Sequence, residues 1–223
     1  VRKDNKIVYA RFDDDKQINS QTPLHGMSMS KTALGAAVGS LLCDGSIKSL
    51  DDEIDLYSVG LRDTPYSKIL IRNVLQMNSG VTPPNRKDVK LANQMAMGMK
   101  KFAESADVLS AVRHFKGTTR KQGKRHNYHA ADSFALSVLI FELTGKSAAQ
   151  IFYENIVKQF GPDGKIHWSA DLAVQALAHS FAHFEKWYIL FSNLYSCACS
   201  WICTVSIRCK DIYIFNRRDY NTT

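Results

Sequence analysis

Gly26-Met27-Ser28-Met29-Ser30-Lys31-Thr32 is the stretch that decides how the chain is understood, through the three-residue spacing of Ser28 and Lys31. Beyond it Leu34, Val38, Leu41 and Leu42 recur at helical intervals, and Ala33, Ala36 and Ala37 are small enough for close packing. The pattern predicts a helix from about Ser28 to Leu42, stopped at Asp44-Gly45. Its Ala, Gly and Leu content suits the centre of a domain, a sound base for a reactive group. Positions i and i+3 share a helix face, so Lys31 can point at Ser28 one turn earlier. A hydroxyl is a poor nucleophile at neutral pH unless a base lies within reach. A lysine of ordinary pKa, about 10.4, is mostly protonated there. Burial or a neighbouring cation lowers that value and makes the amine a usable base. A serine in the first turn also lets a helix N-terminal amide face a developing oxyanion. Alone, Ser-x-x-Lys carries little weight, because a capping Ser and a surface Lys fit the same spacing. Ser30 is a second hydroxyl nearby, but its one-residue offset from Lys31 points the two apart.

Working outward, further stretches follow in order. Gly45-Ser46-Ile47-Lys48-Ser49-Leu50-Asp51-Asp52 comes directly after the predicted helix. Ile71-Arg72-Asn73-Val74-Leu75-Gln76-Met77-Asn78-Ser79-Gly80-Val81 comes next, then Asn127-Tyr128-His129-Ala130-Ala131-Asp132-Ser133, then Leu143-Thr144-Gly145-Lys146-Ser147. Together with the Ser28 stretch, these resemble the serine β-lactamase-like and penicillin-binding protein family, especially its class C-like esterase and 6-aminohexanoate-dimer hydrolase branch. The resemblance covers about residues 6–171.

The resemblance implies an acyl-transfer hydrolase with Ser28 as acylated nucleophile and Lys31 as proton acceptor. Ser-x-x-Lys is the first of three signatures in this superfamily. Tyr128 would relay the proton to the leaving group, with Lys31 as the cation that lets a phenol share it. The implied substrate is a small ester, amide or β-lactam, with no metal and no organic cofactor. Two departures stand out. Ala130 holds a place where the family often has Asn, which weakens one substrate-orienting contact. The third signature, a strand of the form Lys-Thr-Gly or His-x-Gly, is not found; Gly145-Lys146-Ser147 has the wrong order and sits at a helix connection. Residues 172–223 do not resemble the family, and a shifted reading frame or truncation near Asp171 is the expected origin of that change.

The resulting expectation is an α+β, β-lactamase/transpeptidase-like fold. It has an antiparallel sheet flanked by helices, a helical subdomain over about residues 50–160, and incomplete C-terminal strands. Residues 1–171 form the hydrolase domain and 172–223 a divergent tail. Residues 6–12 read as a strand followed by a turn at Asp13, Asp14 and Asp15. Ile69 to Met77 reads as a strand-to-helix piece, residues 88–115 as helical, and Gly117 to Asn127 as a basic loop. Asp132 is placed to cap a helix ending near Leu143 before Gly145. Ser147 with Gln150 forms a capping box for another helix, stopped by Gly161.

The formal charge of +8 over 223 residues is local. Between Arg86 and Tyr128 there are 11 Lys or Arg against 3 Asp or Glu, and the remainder is neutral. No aromatic residue interleaves with Arg120, Lys121, Lys124 and Arg125 to stack on bases, so no nucleic-acid partner is expected and a solvated helical insertion is favoured. A basic binding module acting through residues 86–128 is the alternative of a different class, and an inactive remnant of the hydrolase is another. His179 and His183 are four apart, but Ser180 stands where a zinc protease needs Glu. Cys197, Cys199, Cys203 and Cys209 lack paired Cys-x2-Cys knuckles, and with Cys43 the total is odd, so neither a metal site nor a disulfide framework is expected. His25, His114, His126, His129 and His167 have no motif partners and read as structural or exposed. Residues 187–207 carry no charge, but their Ser, Thr and Asn content argues against a membrane span. The N-terminus shows no apolar signal core, family members occupy several compartments, and compartment and oligomeric state stay open.

Overall fold

The computed structural model describes residues 2–3, 6–9, 11–12, 16–19, 22, 24–81, 108–115, 120–158, 167–170 and 176–182. In chain order its elements are β1 (Arg2–Lys3), β2 (Lys6–Ile7), β3 (Leu24–Met27), α1 (Ser30–Cys43), α2 (Ile71–Leu75), α3 (Val108–His114), α4 (Ala131–Thr144), α5 (Ala148–Phe152), β4 (His167–Ala170) and β5 (Ala176–Ala182). Short 3-10 turns occupy Ile54–Leu56 and Val59–Leu61, and a π turn, Tyr153–Val157, continues α5.

Two helices organise the core because both are mostly apolar or small and are buried over most of their length. In α1, Ala33 to Leu41 are all buried, and in α4, Ala131 to Ile140 are all buried. A helix apolar or small on every side has to be enclosed by neighbours. α1 packs against α4, α5 and β5, while α4 also receives α2 and α3. Tyr66, Phe115, Phe134 and Phe152 are the bulkiest fully buried side chains among the described residues.

The helix ends follow local rules in most places. α1 stops at Asp44, whose amide bonds the Ser40 carbonyl, and Gly45 turns the chain out at φ +82°. Gly145 ends α4 at φ +68°, with its amide on the Phe141 carbonyl. Ser147 Oγ accepts from the Gln150 amide at 3.2 Å, but the Gln150 side chain donates to Glu154 Oε1, so only half of the predicted capping box is seen. The expectation for Asp132 is corrected. Ala130 occupies the N-cap of α4, and Asp132 lies two residues further on, completely buried. Tertiary partners, described below, claim its carboxylate.

At the N-terminal end, β1 and β2 form a two-residue antiparallel ladder, Arg2 opposite Ile7 and Lys3 opposite Lys6. The predicted strand over 6–12 is therefore shorter, since Val8 and Tyr9 lie past the ladder and are exposed. A second ladder runs β3-β5-β4, antiparallel throughout. β5 lies beyond Asp171, yet Leu24 pairs with Ala182 and Met27 with Ser180, so it hydrogen-bonds the strand that leads into Ser28.

The turn at Asp13 to Asp15, most of the predicted 88–115 helix, Gly161, His183, the 187–207 stretch and Cys197 to Cys209 lie outside the described residues. Among the described residues no single helix is long and apolar enough to cross a membrane; a pair bent by 75°, Ala131–Thr144 with Ala148–Val157, reaches the necessary length and apolarity together.

Candidate active site

β3 delivers the chain to a turn at Ser28-Met29, and α1 begins at Ser30, two residues later than the sequence pattern predicts. Ser28 thus sits just outside the helix. The Lys31 amide bonds the Ser28 carbonyl at 3.1 Å, and the Thr32 amide bonds Met29 at 3.0 Å. This tight turn keeps the one-turn relationship. Lys31 Nζ donates to Ser28 Oγ at 3.1 Å. Ser28 is half-buried, whereas Ser30 is fully buried inside the helix.

Tyr128 comes from a different part of the chain, and Lys31 Nζ lies 5.2 Å from its ring centroid. The three residues singled out from the sequence are therefore neighbours in space. Burial lowers the Lys31 pKa, and the Tyr128 phenol, by charge and hydrogen bonding, works in the opposite direction. An ammonium pushed toward its neutral form next to a hydroxyl has the chemistry of a proton acceptor. Ala130 is buried at the start of α4, so the position two residues after Tyr128 offers no side-chain amide to a bound molecule.

Tyr128 rides on a loop that is laid against residues 68–81. Gln122 anchors it with both ends of its amide. Its Oε1 accepts from the Leu70 amide at 2.9 Å and from Asn73 Nδ2 at 2.7 Å, while Nε2 donates to the Lys68 carbonyl at 3.0 Å. Main-chain bonds continue the attachment, from Gly123 to Asn78 at 2.8 Å and from Asn127 to Met77 at 2.7 Å. His126 Nδ1 lies 3.1 Å from the Gln76 carbonyl. Arg120, Lys121, Lys124 and Arg125, the basic run of the sequence, are exposed on this loop.

A buried polar cluster lies at the start of α4, a few residues on from Tyr128. Asp132 Oδ1 accepts from Tyr66 Oη at 2.8 Å and from Ser79 Oγ at 2.7 Å, and Oδ2 has no hydrogen-bond partner among the described residues. Desolvation raises the Asp132 pKa to about 7, against the pull of the Ser79 and Tyr66 hydrogen bonds. His129 is also buried, with Nε2 2.9 Å from the Val81 carbonyl and Nδ1 accepting from the Ala131 amide at 3.1 Å. Burial pushes its pKa down. Gln122, Tyr66 and Ser79 did not stand out in the sequence as site residues. The one available signal was the Asn78-Ser79-Gly80 turn, which marks the loop but not its partners. Among the described residues no cluster of three or more His, Cys, Asp or Glu side chains is arranged to hold a metal ion.

Residues 1–180 match the Beta-lactamase family, and the chain belongs to that family. The match runs past Asp171 to include most of β5. Solved structures with the same fold include a protein from Bacillus anthracis assigned as a 6-aminohexanoate-dimer hydrolase. It superposes with a TM-score of 0.72 at 21% identity, over 86% of this chain and 52% of that one. A penicillin-binding protein from Bacillus halodurans gives 0.63 at 14% identity, over 88% and 69% of the two chains. The octameric penicillin-binding protein homologue of Pyrococcus abyssi gives 0.57 at 14%, over 87% and 48%. The fold is accordingly of the β-lactamase/transpeptidase type, and the chain spans about half the length of the first of these structures (52%). No curated protein sequence matches the chain.

Proposed function

We propose that this chain carries the acylating site of a serine hydrolase acting on a small ester, amide or lactam. The observation that carries the reading is the 3.1 Å contact between Lys31 Nζ and Ser28 Oγ, made by a lysine whose burial favours its neutral form. In the reaction, neutral Lys31 takes the Ser28 hydroxyl proton as Oγ bonds the carbonyl carbon, giving a tetrahedral oxyanion. Collapse breaks the bond to the leaving group, which receives the proton from Lys31 by way of Tyr128. Water then attacks the acyl-enzyme, returns the proton to Ser28 and releases the acid. Tyr128 is proposed for the relay because its ring lies within 5.2 Å of Lys31 Nζ. The steps call for no metal and no organic cofactor.

The finer architecture proposed with this function is an α+β arrangement. Its antiparallel sheet supports the nucleophile strand, and a helical subdomain over about residues 50–160 supplies the Tyr128 loop. Family membership supports the hydrolase class but does not choose among ester, lactam, peptide and oligoamide substrates, because one fold hosts many substrates. The test is covalent labelling of the full chain with a fluorophosphonate or a penicillin probe. Labelling of the wild type that disappears in Ser28→Ala supports the proposal. Absence of labelling by both probes overturns it in favour of an inactive relative, and labelling that survives Ser28→Ala overturns Ser28 as the nucleophile.

A further inference from the structure

We propose that His129 is a positioning residue that holds the Tyr128 ring beside Lys31. The inference rests on the role proposed for Tyr128 and adds the device that places it.

Tyr128 is 58% exposed, so packing alone does not fix its ring. Both of its chain neighbours are tied down instead, and to the same loop. On one side the Asn127 amide donates to the Met77 carbonyl at 2.7 Å. On the other, the His129 imidazole reaches the Val81 carbonyl at 2.9 Å. Tyr128 is thus strung between two clips on residues 77–81. That loop is itself anchored. Met77 has φ +52° and Gly80 φ +81°, the Ser79 hydroxyl is bonded to buried Asp132, and the Gly80 Cα faces the Arg120 carbonyl closely enough to exclude a side chain.

The chemistry of the second clip selects histidine. The Ala131 amide can only donate, so Nδ1, 3.1 Å away, has to be unprotonated. The Val81 carbonyl can only accept, so Nε2 has to carry the proton. One neutral tautomer satisfies both, and the rigid ring sets the distance between the start of α4 and the loop. Phenylalanine matches the shape but supplies neither bond. Glutamine supplies a donor and an acceptor on a flexible stem.

The experiment uses the full chain with His129→Phe, His129→Gln, Tyr128→Phe and the Tyr128→Phe/His129→Phe double variant. Labelling rates and thermal midpoints are measured for each. His129→Phe is expected to slow labelling by roughly 10- to 100-fold, the scale of a small misplacement of a reacting group. His129→Gln is expected to recover part of that loss. The double variant is expected to be no slower than Tyr128→Phe alone, since a device that acts through Tyr128 has nothing left to position. Losses that multiply in the double variant, or an unchanged rate in His129→Phe, overturn the proposal. A second readout is independent of acylation. The wild-type imidazole 15N shifts should show Nε2 protonated and Nδ1 bare, and the Tyr128 ring 13C signals should move in His129→Gln and His129→Phe. A proton on Nδ1, or unmoved Tyr128 signals, also overturns it. If neither probe labels the wild type while this second readout is as expected, the hydrolase reading fails and the positioning of the ring stands.

Discussion

Lys31 Nζ donates to Ser28 Oγ from a setting that lowers the amine's pKa, while the Tyr128 phenol opposes part of that fall. The pair is joined across one turn, yet the two residues differ in what holds them. Lys31 belongs to a buried helix, and Ser28 to the turn that precedes it. Rotation of the helix and closure of the turn therefore both bear on the contact.

Replacing the amine tests the role as a base proposed for it. Lys31→Arg keeps a cation near Ser28 but cannot give up its proton, and Lys31→Ala removes both functions. Both are expected to slow fluorophosphonate labelling by about 10²- to 10⁴-fold, the usual contribution of a general base. The sign of the pH dependence follows from the lowered pKa. Only the neutral amine accepts a proton, so the labelling rate should rise with pH and level off below the ordinary lysine value of about 10.4. A rate that is still rising at that pH, or full-speed labelling by Lys31→Arg, counts against the role.

Asp132 predicts a stability profile. Its pKa is raised to about 7 in the fold from the ordinary carboxyl value of 3.8. Between those values the folded state keeps a proton that the unfolded state has lost, so stability falls as pH rises through the window. The penalty is absent near pH 4 and complete above 7, with a size on the order of 4 kcal/mol. Asp132→Asn can still accept from Tyr66 and Ser79 and has no charge to bury. Urea unfolding between pH 5 and 7.5 should therefore slope downward in the wild type and be flatter in Asp132→Asn. Parallel slopes in the two proteins exclude the carboxyl as the source.

Two glycines with left-handed backbones separate conformational cost from crowding. Gly145 has φ +68° and open space where a Cβ would stand. Gly80 has φ +81°, and there a Cβ would meet the Arg120 carbonyl oxygen at 2.2 Å, an atom of the main chain that cannot swing aside. Gly145→Ala is expected to cost about 1–2 kcal/mol, the usual penalty of that conformation. Gly80→Ala should cost more and should also slow labelling, because displacing Arg120 disturbs the loop that carries Tyr128. Denaturant midpoints and labelling rates of the two variants are compared. Equal stability losses, with labelling unaffected in both, would remove the argument.

Short-range relations explain what could be read from residue order. The Ser28–Lys31 spacing, the buried α1 sequence, the Asp44-Gly45 stop, Gly145 ending α4 and Ser147 capping α5 all depend on residues within about one helical turn of each other. Even the two-residue delay in the start of α1 left the Ser28–Lys31 contact intact, since a tight turn preserves the same offset.

Asp132 marks where that kind of reading stops. As a residue type at the start of a helix it reads as a cap, because local hydrogen bonding is all that neighbouring residues reveal. Its actual partners, Tyr66 and Ser79, lie 66 and 53 positions away, and only folding brings their hydroxyls to a desolvated carboxyl. The Tyr128 loop is decided the same way, through Gln122, Gly123 and Asn127 bonding to residues 68–78. Helix period and chain stiffness set which side chains share a turn. Which distant segments meet, and which polar groups lose their water in doing so, is set by the packing of the whole chain.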